Sequence, residues 1–284
     1  KLKSKISLFC NVSPNCVINA PDVRTIYELP MVLHQQGLDQ RIAEHLNIWT
    51  GAPKLEPWTR IAGSLTDRSR KTVTIAMVGK YVDLTESYKS LSEALIHSGV
   101  ANNCKIEIVY VDSEGLEVTG VEPAIRAVNG GELVDAILIP GGFGIRGSEG
   151  KIAAAKYARE NNVPFFGICL GLQIATIEYA RNVAGLSTAT SAEFDENSSC
   201  AVIHIMDSQK NVAQKGGSMR LGAYPCALKQ GSKAREIYGK ALISERHRHR
   251  FEVNNSFREQ LEKAGLIFSG TSPDDSLAEI IELR

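Results

Sequence analysis

The chain has 284 residues and a mass of 30.9 kDa, with 43% hydrophobic and 23% charged residues, enough to bury one large core or two smaller ones. Lys+Arg and Asp+Glu both number 32, so no net field draws it to nucleic acid or an acidic membrane surface, and any polyanion site has to be a local cluster. No run approaches the roughly 18 uninterrupted apolar residues of a membrane helix and the start, KLKSKISLFC, has no A-x-A-like cleavage site, so a cytoplasmic protein with no nucleic-acid or membrane partner is expected.

Residues 1 to about 70 show helical periodicity in IYELPMVLHQQGLDQRIAEHL, then a polar connection with Pro and Gly, GAPKLEPWTRIAGSLTDRSRK. A boundary is placed near Arg70, dividing 1–70 from 71–284. Composition is equally compatible with an extra subdomain on the same core. From Val73 onward, apolar β-rich runs alternate with helical patterns: VTIAMVG (73–79), KIEIVYVD (105–112), VDAILIPGG (134–142) and VPFFGIC (163–169). That alternation predicts an α/β fold, a mostly parallel sheet with helices on both faces, preceded by a small helical extension. SEGKIAAAKYAREN is predicted as a helix capped by Ser148 and ending in an Asn pair. CAVIHIMD, LIFSGTS and LAEIIEL are predicted as strands of an added antiparallel portion.

Six cysteines (Cys10, Cys16, Cys104, Cys169, Cys200, Cys226) include no C-x-x-C pair, which argues against a zinc site and a disulfide framework. Cys169 differs in its setting. FFGICLGLQ (165–173) places it between Gly167 and Gly171, after an apolar strand and before a helix, the pattern of a nucleophile elbow. The helix N-terminus favours a thiolate and offers N–H groups to a developing oxyanion, here from Leu170 and from the loop PGGFG (140–144) after a neighbouring strand. The plain alternative is a buried cysteine beside packing glycines. The second Gly-rich loop at the same sheet edge favours the nucleophile.

PGGFGIRGSEGKI (140–152) with FFGICLGLQ resembles the glutaminase domain of the class I glutamine amidotransferases, with a flavodoxin-like core. KGGSMRLG (215–222) and ERHRHRFEVN (245–254) are similar to the CTP synthase family within it, and KISLFCNV (5–12) and DVRTIYELP (22–30) resemble the end of that family's synthetase domain. The resemblance implies a glutamine-hydrolysing ligase. Its cysteine forms a γ-glutamyl thioester, and the released ammonia aminates ATP-activated UTP to CTP. Carried over, Cys169 is the nucleophile; Gly142, Leu170, Gly171, Leu172 and Gln173 hold glutamine and its oxyanion; Glu193 receives the substrate ammonium and Arg250 its carboxylate. Ala192 departs from the family's usual Thr. Lys5, Asp22 and Val23 match nucleotide-binding positions, and KGGSMRLG resembles a lid that responds to GTP, with Arg220 offering a charge to a phosphate or carboxylate. For the whole enzyme, ATP, Mg and allosteric GTP are implied, with a homo-tetramer; no metal site is implied in this chain.

In an extended ERHRHR, Arg246, Arg248 and Arg250 share one face and Glu245, His247 and His249 the other, and a guanidinium suits a carboxylate. The family's base is the histidine of a His-Pro-Glu motif, which this sequence does not contain, and none of His204, His247 and His249 is followed by Pro-Glu. Nor is there a G-x-x-x-x-G-K-[ST] phosphate loop. The chain is therefore expected to be a piece of the enzyme that binds glutamine and is alkylated at Cys169 but turns over little. Two other readings stay open: a non-catalytic module of this fold that binds nucleotide or partners, and another Cys-elbow hydrolase of amides or γ-glutamyl compounds.

Overall fold

The computed structural model describes residues 1–82, 84–206 and 220–283. The chain forms two units, Lys1–Thr72 with Ser90–Ile106, and Val73–Lys89 with Glu107–Arg284.

The first unit is helical: α1 (Leu2–Cys10), α2 (Leu29–Gln35), α3 (Leu38–Leu46), α4 (Glu56–Thr66) and most of α5 (Lys89–Ala101). The predicted periodic segment is broken at Gly37, whose φ of 77° ends α2 and starts α3. The segment read as a polar connection holds a helix instead, α4. Pro57 sits in its first turn, where the fixed φ is suitable and no N–H is needed. Trp58, Ile61, Ala62 and Leu65 then follow helical spacing inside a run whose Pro and Gly content masks it. Tyr27 stacks on Trp58, with ring centroids 6.2 Å apart, and donates its hydroxyl to Glu93 Oε2 at 2.9 Å.

The second unit contains a sheet of four strands, β1 (Thr72–Gly79), β2 (Lys105–Asp112), β3 (Ala136–Ile139) and β4 (Phe165–Gly167), in the order β2-β1-β3-β4. β3 pairs parallel with both β1 and β4. The order reverses at β1, the doubly wound arrangement in which right-handed crossovers cover both faces. Continuous burial of Ala76, Met77 and Val78 fits a strand covered on two sides.

Four helices contribute: α6 (Leu116–Thr119), α7 (Val121–Val128), α8 (Ser148–Glu160) and α9 (Leu170–Asn182). Ile125, Ile152, Ala155, Leu170, Ile174 and Ile177 join the strand residues in one core. The cap of α8 differs from expectation: Gly147, in the left-handed region at φ 66°, precedes the helix, while Ser148 is its first residue and is buried. Ser148 makes no side-chain cap bond because the chain enters one residue earlier than its hydroxyl would require. α8 and α9 are joined by Arg159, whose Nε lies 3.0 and 3.1 Å from the two carboxylate oxygens of buried Glu178 and whose Nη2 lies 2.7 Å from Oε1.

The chain continues through β5 (Thr190–Ser191), β6 (Ala201–Ile205), β7 (Arg220–Leu228), α10 (Lys233–Tyr238), β8 (Leu242–His249), β9 (Phe251–Val253), α11 (Arg258–Lys263), β10 (Ile267–Thr271) and β11 (Ala278–Glu282). The predicted antiparallel addition is an antiparallel sheet, β11-β10-β7-β8. β6, predicted to join it, lies in a separate sheet, parallel to β5 and antiparallel to β9. No helix among the described residues is long and apolar enough to cross a membrane.

Candidate active site

The carboxyl ends of β3 and β4 meet at Cys169. Its φ of 55° and ψ of −104° are those of a sharp strand-to-helix turn that an L-residue enters only under strain. The turn is held by backbone: Ile168 N–H donates to Ile139 O at 2.9 Å, and the N–H groups of Leu172 and Gln173 donate to Cys169 O at 3.1 and 3.3 Å. Its neighbours must be glycine. A Cβ on Gly167 would stand 2.4 Å from Gly171 carbonyl atoms, and one on Gly171 would stand 2.3 Å from Ile139 O. Cys169 is half-buried and free of disulfide.

The loop after β3 lies against this turn. A Cβ on Gly141 would be 3.4 Å from Cys169 Cβ, and one on Gly142 would be 3.4 Å from Leu170 Cδ2. Among the described residues the N–H groups of Gly142 and Leu170 donate to no acceptor. They are the two donors that an oxyanion hole beside Cys169 requires. The loop is anchored from two directions: Gly144 N–H donates to Glu193 Oε1 at 2.8 Å, and Lys80 Nζ, at the end of β1, donates to Phe143 O. Glu193, expected to hold a ligand's ammonium, is thereby brought to the same loop, and its own N–H is fixed by Ser191 Oγ at 3.1 Å.

From the other side comes the bend between β8 and β9. The predicted alternation holds through His249: Arg246 and Arg248 are exposed, while His247 is buried and His249 faces inward. It fails at Arg250. The strand ends at His249, so Arg250 occupies the bend, leaves the face of Arg246 and Arg248, and is half-buried. Its Nε is buried with no hydrogen-bond partner among the described residues. Gln173, one turn into α9 and 7% exposed, donates its amide to Phe251 O at 3.2 Å, and its Oε1 is likewise buried and unpartnered. Leu170 and Gly171 are buried and Leu172 is half-buried, in the core under the turn. Lys5 and Asp22 are exposed and Val23 half-buried, all in the first unit.

His249, to which the sequence assigned no role, is brought by the structure towards the elbow. Its imidazole is close enough to the Cys169 thiol for that group to influence its protonation, and its Nδ1 lies 3.3 Å from Oε1 of Glu252, which is 5% exposed. Burial opposes its protonation, yet the hydrogen bonds to Cys169 and Glu252, and their charges, outweigh burial and raise its pKa to about 10. His247 moves the other way: burial, with the cations Arg220 and His249 beside it, lowers its pKa against the pull of Glu279 and Glu252. The available signal was the inward face of ERHRHR, on which only every second residue reaches the interior.

Arg220, read as offering a free charge, instead has its side chain 8% exposed and engaged. Its Nη2 lies 2.6 Å from Glu279 Oε1, its Nη1 3.5 Å from Glu252 Oε1, and its Cζ sits 4.3 Å from the Tyr224 ring centre. The remainder of the expected lid, Lys215–Met219 of KGGSMRLG, lies outside the described residues.

The family model described as glutamine amidotransferase class-I matches residues 83–284, and that described as CTP synthase N-terminus matches residues 1–48. The chain is 54% identical to the CTP synthase of Geobacter metallireducens over 284 residues, 99% of this chain and 51% of that protein. It is 52% identical to that of Syntrophus aciditrophicus over 283 residues, 100% of this chain and 51% of that protein. It thus spans about half the length of the curated relatives it matches. Among solved structures, the Trypanosoma brucei CTPS glutaminase domain with bound acivicin matches with a TM-score of 0.66 and 42% identity, covering 75% of this chain and 82% of that one. The chain belongs to the class-I glutamine amidotransferase family, in its CTP synthase branch.

Proposed function

We propose that the chain is the glutaminase part of a CTP synthase, with residues 71–284 forming the amidotransferase domain and residues 1–70 the end of the synthetase domain. The observation that carries this is the Cys169 turn, with two N–H groups, of Gly142 and Leu170, that donate to no acceptor among the described residues. Cys169 Sγ attacks the side-chain amide carbon of glutamine, and the oxygen that becomes negative is received by those two N–H groups. The amide nitrogen leaves as ammonia, and water hydrolyses the resulting thioester to glutamate.

The buried, unpartnered atoms nearby complement an amino acid. Arg250 Nε is a donor that a carboxylate satisfies, and Gln173 Oε1 an acceptor that an ammonium or amide N–H satisfies. Glu193, whose Oε1 accepts from Gly144 N–H of the β3 loop, supplies the negative charge for the ammonium. In the whole protein the ammonia aminates ATP-activated UTP, with Mg and allosteric GTP acting there, Lys5, Asp22 and Val23 facing nucleotide, and a homo-tetramer as the assembly.

The test is covalent labelling by acivicin, the ligand named with the trypanosomal glutaminase domain, followed by peptide mapping. Modification of Cys169, prevented by excess glutamine and lost in Cys169→Ala, is expected. Labelling at another residue, or labelling that glutamine does not slow, overturns the reading.

A further inference from the structure

The parallel sheet reverses its order at β1, and the crevice outside the carboxyl ends of β1 and β3 is where a doubly wound fold has room for a ligand. Here the residue that follows β1, Lys80, reaches from one strand end to the other: its Nζ donates to Phe143 O in the loop after β3. A Cβ placed on Gly144 would lie 3.9 Å from the same Nζ. Gly144 N–H belongs to the same peptide unit as Phe143 O, and it donates to Glu193 Oε1 at 2.8 Å, from the turn that follows β5. One peptide is thus gripped at both ends, by an ammonium on its oxygen and a carboxylate on its N–H.

The backbone alone does not fix this unit. Gly142 and Gly144 flank Phe143, and Gly144 has a φ of 80°, so the peptide between residues 143 and 144 can turn over at little steric cost. Turned over, it would set its oxygen against the Glu193 carboxylate and its N–H against the Lys80 ammonium. Opposite charges at the two ends of a peptide dipole therefore select one of the two orientations. Upstream, the chain is fixed where it leaves β3: Ile139 O accepts Ile168 N–H at 2.9 Å, and Gly141 packs on the elbow, a Cβ there lying 3.4 Å from Cys169 Cβ. Gly142 N–H, one of the two donors beside Cys169, lies between these fixed points.

We propose that Lys80 is a positioning residue for the acyl chemistry at Cys169: with Glu193 it locks the 143–144 peptide in one orientation and so keeps Gly142 N–H aimed where the oxyanion forms. The inference rests on the glutaminase reading for the identity of that oxyanion, though not for the state of the loop. The surrounding charges are arranged for this task. Burial and the neighbouring Arg146 oppose the Lys80 charge, while Glu193 and Glu114 favour it. Among the described residues Glu193 Oε2 accepts no hydrogen bond, so a substrate ammonium can be received there while Oε1 still holds Gly144. Substrate recognition and the oxyanion donor then share one carboxylate, and Lys80 braces the loop from the opposite end of the peptide.

The experiment compares two ways of modifying Cys169 in the 284-residue chain, both read by peptide mapping. Acivicin is attacked at the C=N carbon of its chlorinated ring, and the negative charge that builds on the ring nitrogen before chloride leaves is received by the two N–H donors. Iodoacetamide loses iodide from a tetrahedral carbon and places no charge there. In Lys80→Met the limiting rate of acivicin labelling at saturation is expected to fall about tenfold or more, with the half-saturating concentration and the iodoacetamide rate within about twofold of the parent. A merely structural role would depress both reagents together. A folded Lys80→Met with the parent's limiting rate overturns the proposal, and so does an equal loss with both reagents. Should Lys80→Met not melt cooperatively, Lys80→Gln takes its place with the same expectations. If the parent takes up no acivicin, the glutaminase reading fails by itself and amide hydrogen exchange decides the loop: exchange at Gly144 about tenfold faster in the Lys80 variant than in the parent supports the proposal, and an unchanged rate overturns it.

Discussion

Gly167 and Gly171 touch across the elbow: a side chain begun on the first would lie 2.4 Å from both the carbonyl carbon and oxygen of the second. Because the obstacle is backbone, no rotamer change relieves it. Gly167→Ala is expected to lose about 3 kcal/mol or more of stability in urea unfolding, and to lose acivicin labelling of Cys169 even where it stays folded. Labelling at the parental rate would show that the turn tolerates a Cβ.

Lys151 is 2% exposed in α8, and among the described residues its Nζ has a single weak acceptor, Gly147 O at 3.5 Å. Burial, reinforced by Lys80 and Arg146, lowers its pKa to about 8. A cation whose folded pKa lies below its unfolded value of 10.5 costs stability in full below about pH 8, and that cost disappears as pH rises towards 10.5. Lys151→Met should therefore raise the unfolding free energy at pH 7 by about 2 kcal/mol, with the gain shrinking between pH 8 and 10.5. A gain constant with pH would place its origin in packing.

Glu178 is nearly fully buried, and its charge is matched by the forked contact from Arg159. Glu178→Ala strands a partly buried guanidinium between α8 and α9 and should cost about 3 kcal/mol, whereas replacing Arg159 and Glu178 together by Met should recover most of the loss. The double-mutant cycle measures the difference. Equal losses in the single and double variants would assign the effect to packing alone.

The sign for His249 is opposite to that for Lys151. Its folded pKa, about 10, lies above the unfolded 6.5, so its stabilisation is complete below about pH 6.5 and is lost as pH rises through 10. The stability advantage of the parent over His249→Asn should fall by about 1.4 kcal/mol per pH unit inside that window. An advantage that grew with pH would contradict the Cys169 and Glu252 contacts.

The parallel strands and the elbow were legible because each rests on local chemistry: apolar runs of strand length, and glycines on both sides of a thiol. α4 was not, since Pro57 and Gly63 weigh against a helix in composition while Pro57 in fact occupies the one turn that accepts it. His249 was not, because it depends on where β8 stops. One residue of bend at Arg250 decides which side chains of ERHRHR reach Cys169, and no periodicity encodes that stop. Arg220 looked free in sequence because its partners Glu252 and Glu279 are 32 and 59 residues away.

Position 169 carries backbone angles, φ 55° and ψ −104°, that glycine adopts freely and cysteine adopts at a cost of about 1–3 kcal/mol. A library randomised at this codon and sorted only for thermal persistence would therefore enrich glycine and discard the thiol. At this turn the best-folding sequence and the reactive one are different molecules, and selection for turnover alone keeps the less stable of the two.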